Sequence, residues 1–170
     1  MKRVVITGLG LVTALGNDVP TCWANLIAGK SGAGAITHFD SSKFKTQFAC
    51  EVKDLDVSNL FDPKELRRYD RYIHLAVKST EEAINNAGLH IQQEDPLRCG
   101  VIYGSGMGGV KTLDTNIGEF GAGDGTPRYS PFFIPMIITN MAAGMLAIRY
   151  GFKGVNYATT SACSSSSHAI

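Results

Sequence analysis

Residues 155–168 read VNYATTSACSSSSH, and this stretch decides both the fold class and the candidate chemistry. Its apolar start predicts a buried strand over residues 155–160. Cys163 follows among small residues, where the chain turns toward a helix. A second apolar strand, residues 100–103, opens into a glycine-rich loop over residues 104–109. Because such strands alternate with helical segments, the pattern predicts an α/β fold with a largely buried sheet.

Two further elements are predicted outward from these strands. Residues 4–7, VVIT, form a β-branched run that predicts another buried strand. The clearest helix runs over residues 63–87, because Asp62 and Glu65 form a capping-box pair and Gly88 supplies the stop. Apolar residues recur along one side of this helix at helical spacing.

Composition limits the possible classes of protein. The chain has 170 residues, of which 44% are hydrophobic and 18% charged, and this length predicts one domain. Its net charge of +1 gives no overall positive potential that would attract nucleic acid or a membrane surface. The apolar segment 132–150 has no polar face, and we expect it to be buried on several sides. The low charge predicts burial against another subunit or domain.

Cysteine spacing and the N-terminus bear on the compartment. The four cysteines lack zinc spacing, so we expect free thiols and no metal. The chain begins MKR and enters the run at residues 4–7 directly, which predicts no leader segment. No apolar run is long enough to span a membrane. A cytoplasmic protein is the expectation.

The role of Cys163 has two possible interpretations. A thiol attacks as its thiolate, which a helix N-terminus favours, and the cysteine's own N–H can face an oxyanion. The alternative is a buried structural cysteine. His168 lies five residues later, well around a helix from Cys163, so we interpret it as structural and not as the general base.

Two other patterns leave alternatives open. Gly8 and Gly10 resemble part of a dinucleotide fingerprint, but Thr13 stands where its third glycine is needed, so tight turns are the expectation. The glycine loop 104–109 lacks the lysine of a phosphate-binding loop; it is either a close-packed loop or the lining of a site.

A basic stripe lies on the opposite side of the predicted helix from the apolar residues. Its members are Lys64, Arg67, Arg68 and Arg71. Such a stripe is either a solvated face or a surface for an acidic partner, since the like charges repel one another.

Five segments together resemble the β-ketoacyl synthases, and within them the type II synthases of bacterial fatty acid elongation. They are residues 4–10 (VVITGLG), the helix carrying Lys64 to Arg71, the loop 104–109 (GSGMGG), residues 130–135 (SPFFIP) and residues 160–166 (TSACSSS). The resemblance implies the thiolase-like fold, an αβαβα sandwich of two α/β halves. It covers all 170 residues and most of the N-terminal half, so residues 1–170 are expected to be an N-terminal domain that stops just after the nucleophile.

The resemblance also implies a mechanism and partners. Cys163 would accept an acyl chain from acyl carrier protein, malonyl carrier protein would be decarboxylated, and a 3-oxoacyl chain two carbons longer would form. It implies a homodimer and no cofactor, since the phosphopantetheine belongs to the carrier protein. The implied roles are Cys163 as nucleophile and oxyanion-hole N–H, Met107, Phe133 and Ile134 in the acyl pocket, and Lys64, Arg67, Arg68 and Arg128 in carrier-protein docking.

The family's catalytic histidines, supporting lysine and second oxyanion donor belong to the C-terminal half, so these 170 residues alone are expected to be inactive. Three alternatives stay open: a non-catalytic module that binds carrier protein, a polyketide ketosynthase, and a thiolase-like enzyme acting on acyl-CoA. The cysteine argues against the first, since non-catalytic relatives lack it. The basic helix and the serines after Cys163 argue against the last.

Overall fold

The structure is a computed structural model that describes residues 3–170. It contains two compact units, one of residues 3–57 and Lys78–Leu89 and the other of Ser58–Val77 and His90–Ile170. The helices are α1 Val19–Ile27, α2 Pro63–Arg68, α3 Arg71–Ala87, α4 Val110–Ala122, α5 Phe133–Ile137, α6 Met141–Tyr150 and α7 Ser165–Ala169. The strands are β1 Gly34–Ala35, β2 Phe48–Ala49, β3 Val101–Gly104 and β4 Asn156–Thr159. No helix of the described residues is both long and apolar enough to cross a membrane.

In the first unit, close backbone packing explains two glycines. A side chain at Gly8 would collide with the carbonyl of Ala83, and one at Gly10 with the carbonyl of Ser79. The prediction that these glycines serve tight turns is therefore wrong: they let an extended segment lie directly on α3. The same segment is held by the N–H of Leu9, which donates to Asn86 Oδ1 at 3.0 Å.

The strand predicted at residues 4–7 does not form. Within residues 3–170 this segment belongs to no strand ladder, and Val4 and Ile6 are 93% and 81% exposed. A strand requires a neighbouring strand for its N–H and C=O groups, and a local apolar pattern does not specify that neighbour. Met1 and Lys2, on which the prediction of no leader rests, lie outside the described residues.

In the second unit, β3 and β4 pair in parallel, with Val101 opposite Asn156 and Gly104 opposite Thr159. Both predicted strands are therefore confirmed. Helix α6 packs here through the fully buried Ala143, whose carbonyl accepts a 2.8 Å hydrogen bond from Asn156 Nδ2. In a parallel pair the carboxyl ends lie at the same edge, which is where loops carry functional groups.

The single helix predicted over residues 63–87 is broken in two. Its start is as predicted, since Asp62 and Glu65 form the capping box, and Gly88 ends it at φ +62°. Tyr69, however, is extended at φ −122° and ψ 138°, and the carboxylate of Asp70 accepts from the N–H of Tyr72 as a new N-cap. Hydrophobic periodicity continues through the break and does not reveal it.

The apolar segment 132–150 forms two helices, α5 and α6, separated by an extended residue, Ile138. Its burial is less complete than expected. Ala142, Ala143 and Leu146 are buried in the second unit, but Ile148 is 74% exposed. The expectation of burial on several sides is therefore wrong for this chain, which leaves one apolar face of α6 open to solvent.

Candidate active site

Cys163 lies where β4 gives way to the last helix. The chain passes from Thr159 through a 3₁₀ turn, Ala162–Ser164, into α7. The thiol is exposed and unbridged, so the alternative of a buried structural cysteine is wrong. Cys163 lies in the 3₁₀ turn that precedes α7, two residues before that helix begins at Ser165.

The turn holds an uncommon backbone conformation. Ala162 has φ +49°, a left-handed conformation that costs an L-residue about 1–2 kcal/mol. Ser165, which is buried, stabilises it: Oγ accepts from the N–H of Ser161 at 2.9 Å and donates to the carbonyl of Ala162 at 2.7 Å. The turn before Cys163 is therefore held from both sides of the strained residue.

His168 makes its contact with Ser161. Its Nδ1 lies 2.6 Å from Ser161 Oγ. Sequence spacing gives no sign of Ser161 as the partner, because the turn brings this residue, seven positions before His168, back toward α7.

The glycine loop 104–109 adjoins the cysteine turn. A Cβ at Gly106 would lie 3.6 Å from the carbonyl oxygen of Ala162, in ordinary contact. One at Gly109 would overlap the carbonyl of Met136 in α5. The loop therefore connects the cysteine turn with α5, as a close-packed loop that also borders the site. Met107, at its tip, is 72% exposed.

The other two predicted pocket residues lie on α5. Phe133 is half-buried, with its ring centroid 5.1 Å from that of Tyr129, whereas Ile134 is 57% exposed. Cys163, Met107 and these two side chains thus belong to neighbouring segments of the second unit.

The predicted docking cations differ in their local partners. Lys64, Arg67 and Arg68 are all exposed on α2. The guanidinium of Arg68 lies 4.8 Å above the ring of Phe132. Arg128 is 2.9 Å from Asp124, so its charge already has an exposed partner. Arg71 belongs to α3 because of the helix break, and the predicted four-residue stripe is therefore discontinuous.

A buried carboxylate that the sequence did not single out lies beside this surface. Asp70 Oδ2 accepts from Thr112 twice, from N–H at 2.8 Å and from Oγ1 at 2.7 Å. Burial raises the pKa of Tyr72 to about 12, with contributions from Tyr103 and Asp70, and its hydroxyl donates to the Ile138 carbonyl at 2.6 Å. Sequence offers only one signal for Asp70: an Asp within a helical run, a residue type that favours caps.

The other cysteines differ from Cys163 in exposure or surroundings. Cys22 is buried, Cys99 half-buried and Cys50 exposed, and all are unbridged. Within the described residues, no three His, Cys, Asp or Glu side chains are grouped so as to hold a metal ion.

Sequence comparison gives the family. Residues 1–170 match the family model for "Beta-ketoacyl synthase, N-terminal domain". The chain is 44% identical over 169 residues to 3-oxoacyl-[acyl-carrier-protein] synthase 2 of Synechocystis sp., covering 99% of this chain and 40% of that relative. Identity to the synthase of the same name from Coxiella burnetii is also 44%, over 99% of this chain and 41% of the relative. The chain therefore spans about 40% of the length of these relatives.

Solved structures give the fold. The ishigamide ketosynthase/chain length factor matches with a TM-score of 0.82 and 26% identity, over 92% of this chain and 39% of that one. A β-ketoacyl synthase from Burkholderia phymatum matches with a TM-score of 0.79 and 27% identity, over 99% and 41%. These similarities confirm the predicted thiolase-like α/β fold. On the whole-chain match and the identities together, the chain belongs to the β-ketoacyl synthase family, as its N-terminal domain.

Proposed function

We propose that the whole protein is a condensing enzyme, which joins acyl and malonyl groups carried by acyl carrier protein into a 3-oxoacyl chain for fatty acid elongation. The observation that carries this proposal is the exposed thiol of Cys163 in a strained turn at the carboxyl end of β4. The relatives named as 3-oxoacyl-[acyl-carrier-protein] synthase 2 support the choice of substrates.

The reaction runs in two stages. The thiolate of Cys163 attacks the acyl thioester, and the carrier protein leaves as a free thiol. Malonyl carrier protein then loses CO₂, and the resulting carbanion attacks the carbonyl of the acyl-enzyme. The C–S bond to Cys163 breaks, the thiolate is regenerated, and the product is longer by two carbons. The groups that promote decarboxylation in this family lie outside these 170 residues.

The turn and its neighbours have defined roles in this scheme. The N–H of Cys163 donates to the oxyanion, and the left-handed Ala162 sets the direction of that N–H. Met107, Phe133 and Ile134 line the acyl pocket. Phosphopantetheine belongs to the carrier-protein substrate, so the chain needs no cofactor of its own.

A condensation assay on the full-length protein tests the proposal. With acyl and malonyl carrier proteins, the wild type should form the 3-oxoacyl product, and Cys163→Ala should lower turnover by a factor of about 1,000 or more. Cys50→Ala is the matched control, because Cys50 is also exposed and unbridged, and it should retain turnover. Turnover by the Cys163→Ala protein would overturn the proposal. The 170-residue chain alone should be inactive.

The carrier protein is acidic, and we assign its docking to Lys64, Arg67 and Arg68, with a smaller contribution from Arg128 because Asp124 already pairs with it. Reversal of charge in Arg67→Glu should slow association with carrier protein and weaken its salt dependence. Arg98→Glu, at an exposed cation outside α2, is the control. Equal effects of the two reversals would contradict this assignment.

A polyketide ketosynthase is the second candidate, because the ishigamide ketosynthase/chain length factor shares the fold at 26% identity. The two candidates differ in product. A fatty acid synthase should release the chain after one two-carbon extension for reduction, whereas a polyketide synthase should extend it repeatedly without reduction.

We also propose a homodimer in the cytoplasm. The dimer is supported by the exposed apolar side chains of the segment 132–150, of which Ile134 and Ile148 are 57% and 74% exposed. The compartment is supported by four unbridged cysteines. Sedimentation of the full-length protein should give twice the monomer mass, and Ile148→Glu should shift it toward the monomer.

A further inference from the structure

A cationic cavity of about 430 Å³ lies in the second unit, beside the proposed docking helix. It is bordered by α2, the start of α3, α4 and α5. Three cations line it: Arg67, Arg71 and Lys111. Arg71 belongs to α3 and Lys111 to α4. Neither residue has a role in the condensation chemistry described above.

The charge of the cavity is positive despite the presence of one carboxylate. Asp70 lines it too, but both of its oxygens are engaged, Oδ2 with Thr112 and Oδ1 with the N–H of Tyr72. Three cations against one carboxylate leave a formal excess of two positive charges. Such an excess favours an anionic occupant.

Polar groups capable of hydrogen bonding to an anion also border the cavity. Thr115 and Ser130, which carry hydroxyl groups, line it. Nε2 of His74, which also lines it, is buried without a hydrogen-bond partner among the described residues. Burial lowers the pKa of His74. A buried polar atom without a partner is uncommon in a folded protein, and an imidazole N–H can donate to an anion.

We propose that this cavity receives a carboxylate side chain of the acidic acyl carrier protein when that protein docks on α2. The inference rests on the proposed function. It is carried by continuity, since Arg67 belongs both to the docking surface and to the cavity wall. The phosphodiester of the carrier's prosthetic arm is the other available anion, and the apo carrier protein in the test below distinguishes it from a side-chain carboxylate.

The test measures binding of carrier protein to the full-length enzyme. Lys111→Ala should raise Kd about threefold to tenfold and flatten its dependence on salt. Lys111→Arg, which keeps the charge, should stay within about twofold. Thr115→Glu places a carboxylate in the cavity and should raise Kd more than about tenfold. The matched control is Lys153→Ala, at an exposed lysine outside the cavity, which should leave Kd unchanged.

Two comparisons separate the possible occupants and the two proposals. Apo carrier protein, which lacks the prosthetic arm, should lose affinity for the Lys111→Ala enzyme as much as holo carrier protein does; a loss confined to the holo form would overturn the carboxylate assignment. The rate of Cys163 acylation should also be measured with two acyl donors, the carrier-bound thioester and acyl-N-acetylcysteamine, which has no carrier protein. In Lys111→Ala, the ratio of the first rate to the second should fall by the same factor as the affinity for carrier protein. Kd values for Lys111→Ala and Thr115→Glu equal to that of the wild type would overturn the cavity proposal alone. A wild-type protein that neither binds carrier protein nor accepts its acyl group would overturn the proposed function as well.

Discussion

The backbone of Gly104, at the end of β3, lies directly against the backbone of Ser166 in α7. A Cβ at Gly104 would lie 2.5 Å from both N and Cα of Ser166, closer than side-chain carbons come to backbone atoms. The contact fixes the end of one strand against the helix that follows Cys163. The position of the cysteine turn therefore depends on the absence of a side chain at residue 104.

Replacing Gly104 by Ala should force the strand end and α7 apart. We expect Gly104→Ala to lower the free energy of unfolding by about 1–3 kcal/mol, because backbone atoms must shift. Gly118→Ala is the matched control: it lies within α4 with open space around it, and should be stabilising by up to about 1 kcal/mol. Denaturant unfolding measures both, and equal effects of the two substitutions would contradict the close contact.

The left-handed backbone at Ala162 should govern which substitutions the turn accepts. Ala162→Gly should preserve alkylation of Cys163, because glycine adopts φ +49° without cost. Ala162→Val should lower both stability and the alkylation rate, because a β-branched residue is rarely found there. Iodoacetamide kinetics resolved by peptide would show this, and a Val variant as reactive as the Gly variant would rule out a role for the conformation.

Loss of the Asp70 carboxylate should be costly because its partner is buried. Asp70→Ala leaves the N–H and Oγ1 of Thr112 without their acceptor, and we expect a loss of about 2–4 kcal/mol in the free energy of unfolding. Asp114→Ala, at an exposed carboxylate of the same helix, should change it by less than about 0.5 kcal/mol. Similar urea midpoints for the two variants would contradict the role of Asp70 as a buried acceptor.

Tyr72 should make the fold sensitive to high pH. Burial raises its pKa from 10.0 to about 12, so between these pH values the unfolded chain loses the phenolic proton while the folded chain keeps it. Stability is therefore fully present below pH 10 and falls as the pH rises toward 12. In Tyr72→Phe that decline should be shallower, although the variant starts lower because it lacks the hydrogen bond to Ile138. Parallel stability curves for the two proteins would contradict the raised pKa.

Local chemistry in the sequence was a good guide to some boundaries. The capping box of Asp62 and Glu65 and the stop at Gly88 were predicted correctly, because each is formed by residues close in the chain. The strand pair β3 and β4 was also recognisable from its apolar runs. The break at Tyr69 was not, since what stabilises it is the pair of hydrogen bonds that Thr112, forty-two positions away, donates to the carboxylate of Asp70.

Pairing and burial were harder to predict for the same reason. The run at residues 4–7 has the composition of a strand but no neighbour within residues 3–170. The segment 132–150 is apolar on every side, yet Ile148 is exposed in this chain. At the candidate site, sequence singled out Cys163 and the glycine loop and classed His168 as structural, but the hydrogen bonds of Ser165 and His168 to the turn became evident only from the geometry.

The most direct test of the central claim, that Cys163 carries the acyl group, is peptide-resolved mass spectrometry of the full-length protein after incubation with acyl carrier protein loaded with an acyl chain. We expect the acyl mass on the peptide containing Cys163 and none on the peptide containing Cys50, which is equally unbridged and exposed. The adduct should disappear in Cys163→Ala. Acylation of Cys50 to the same extent, or an adduct that persists in Cys163→Ala, would contradict the claim.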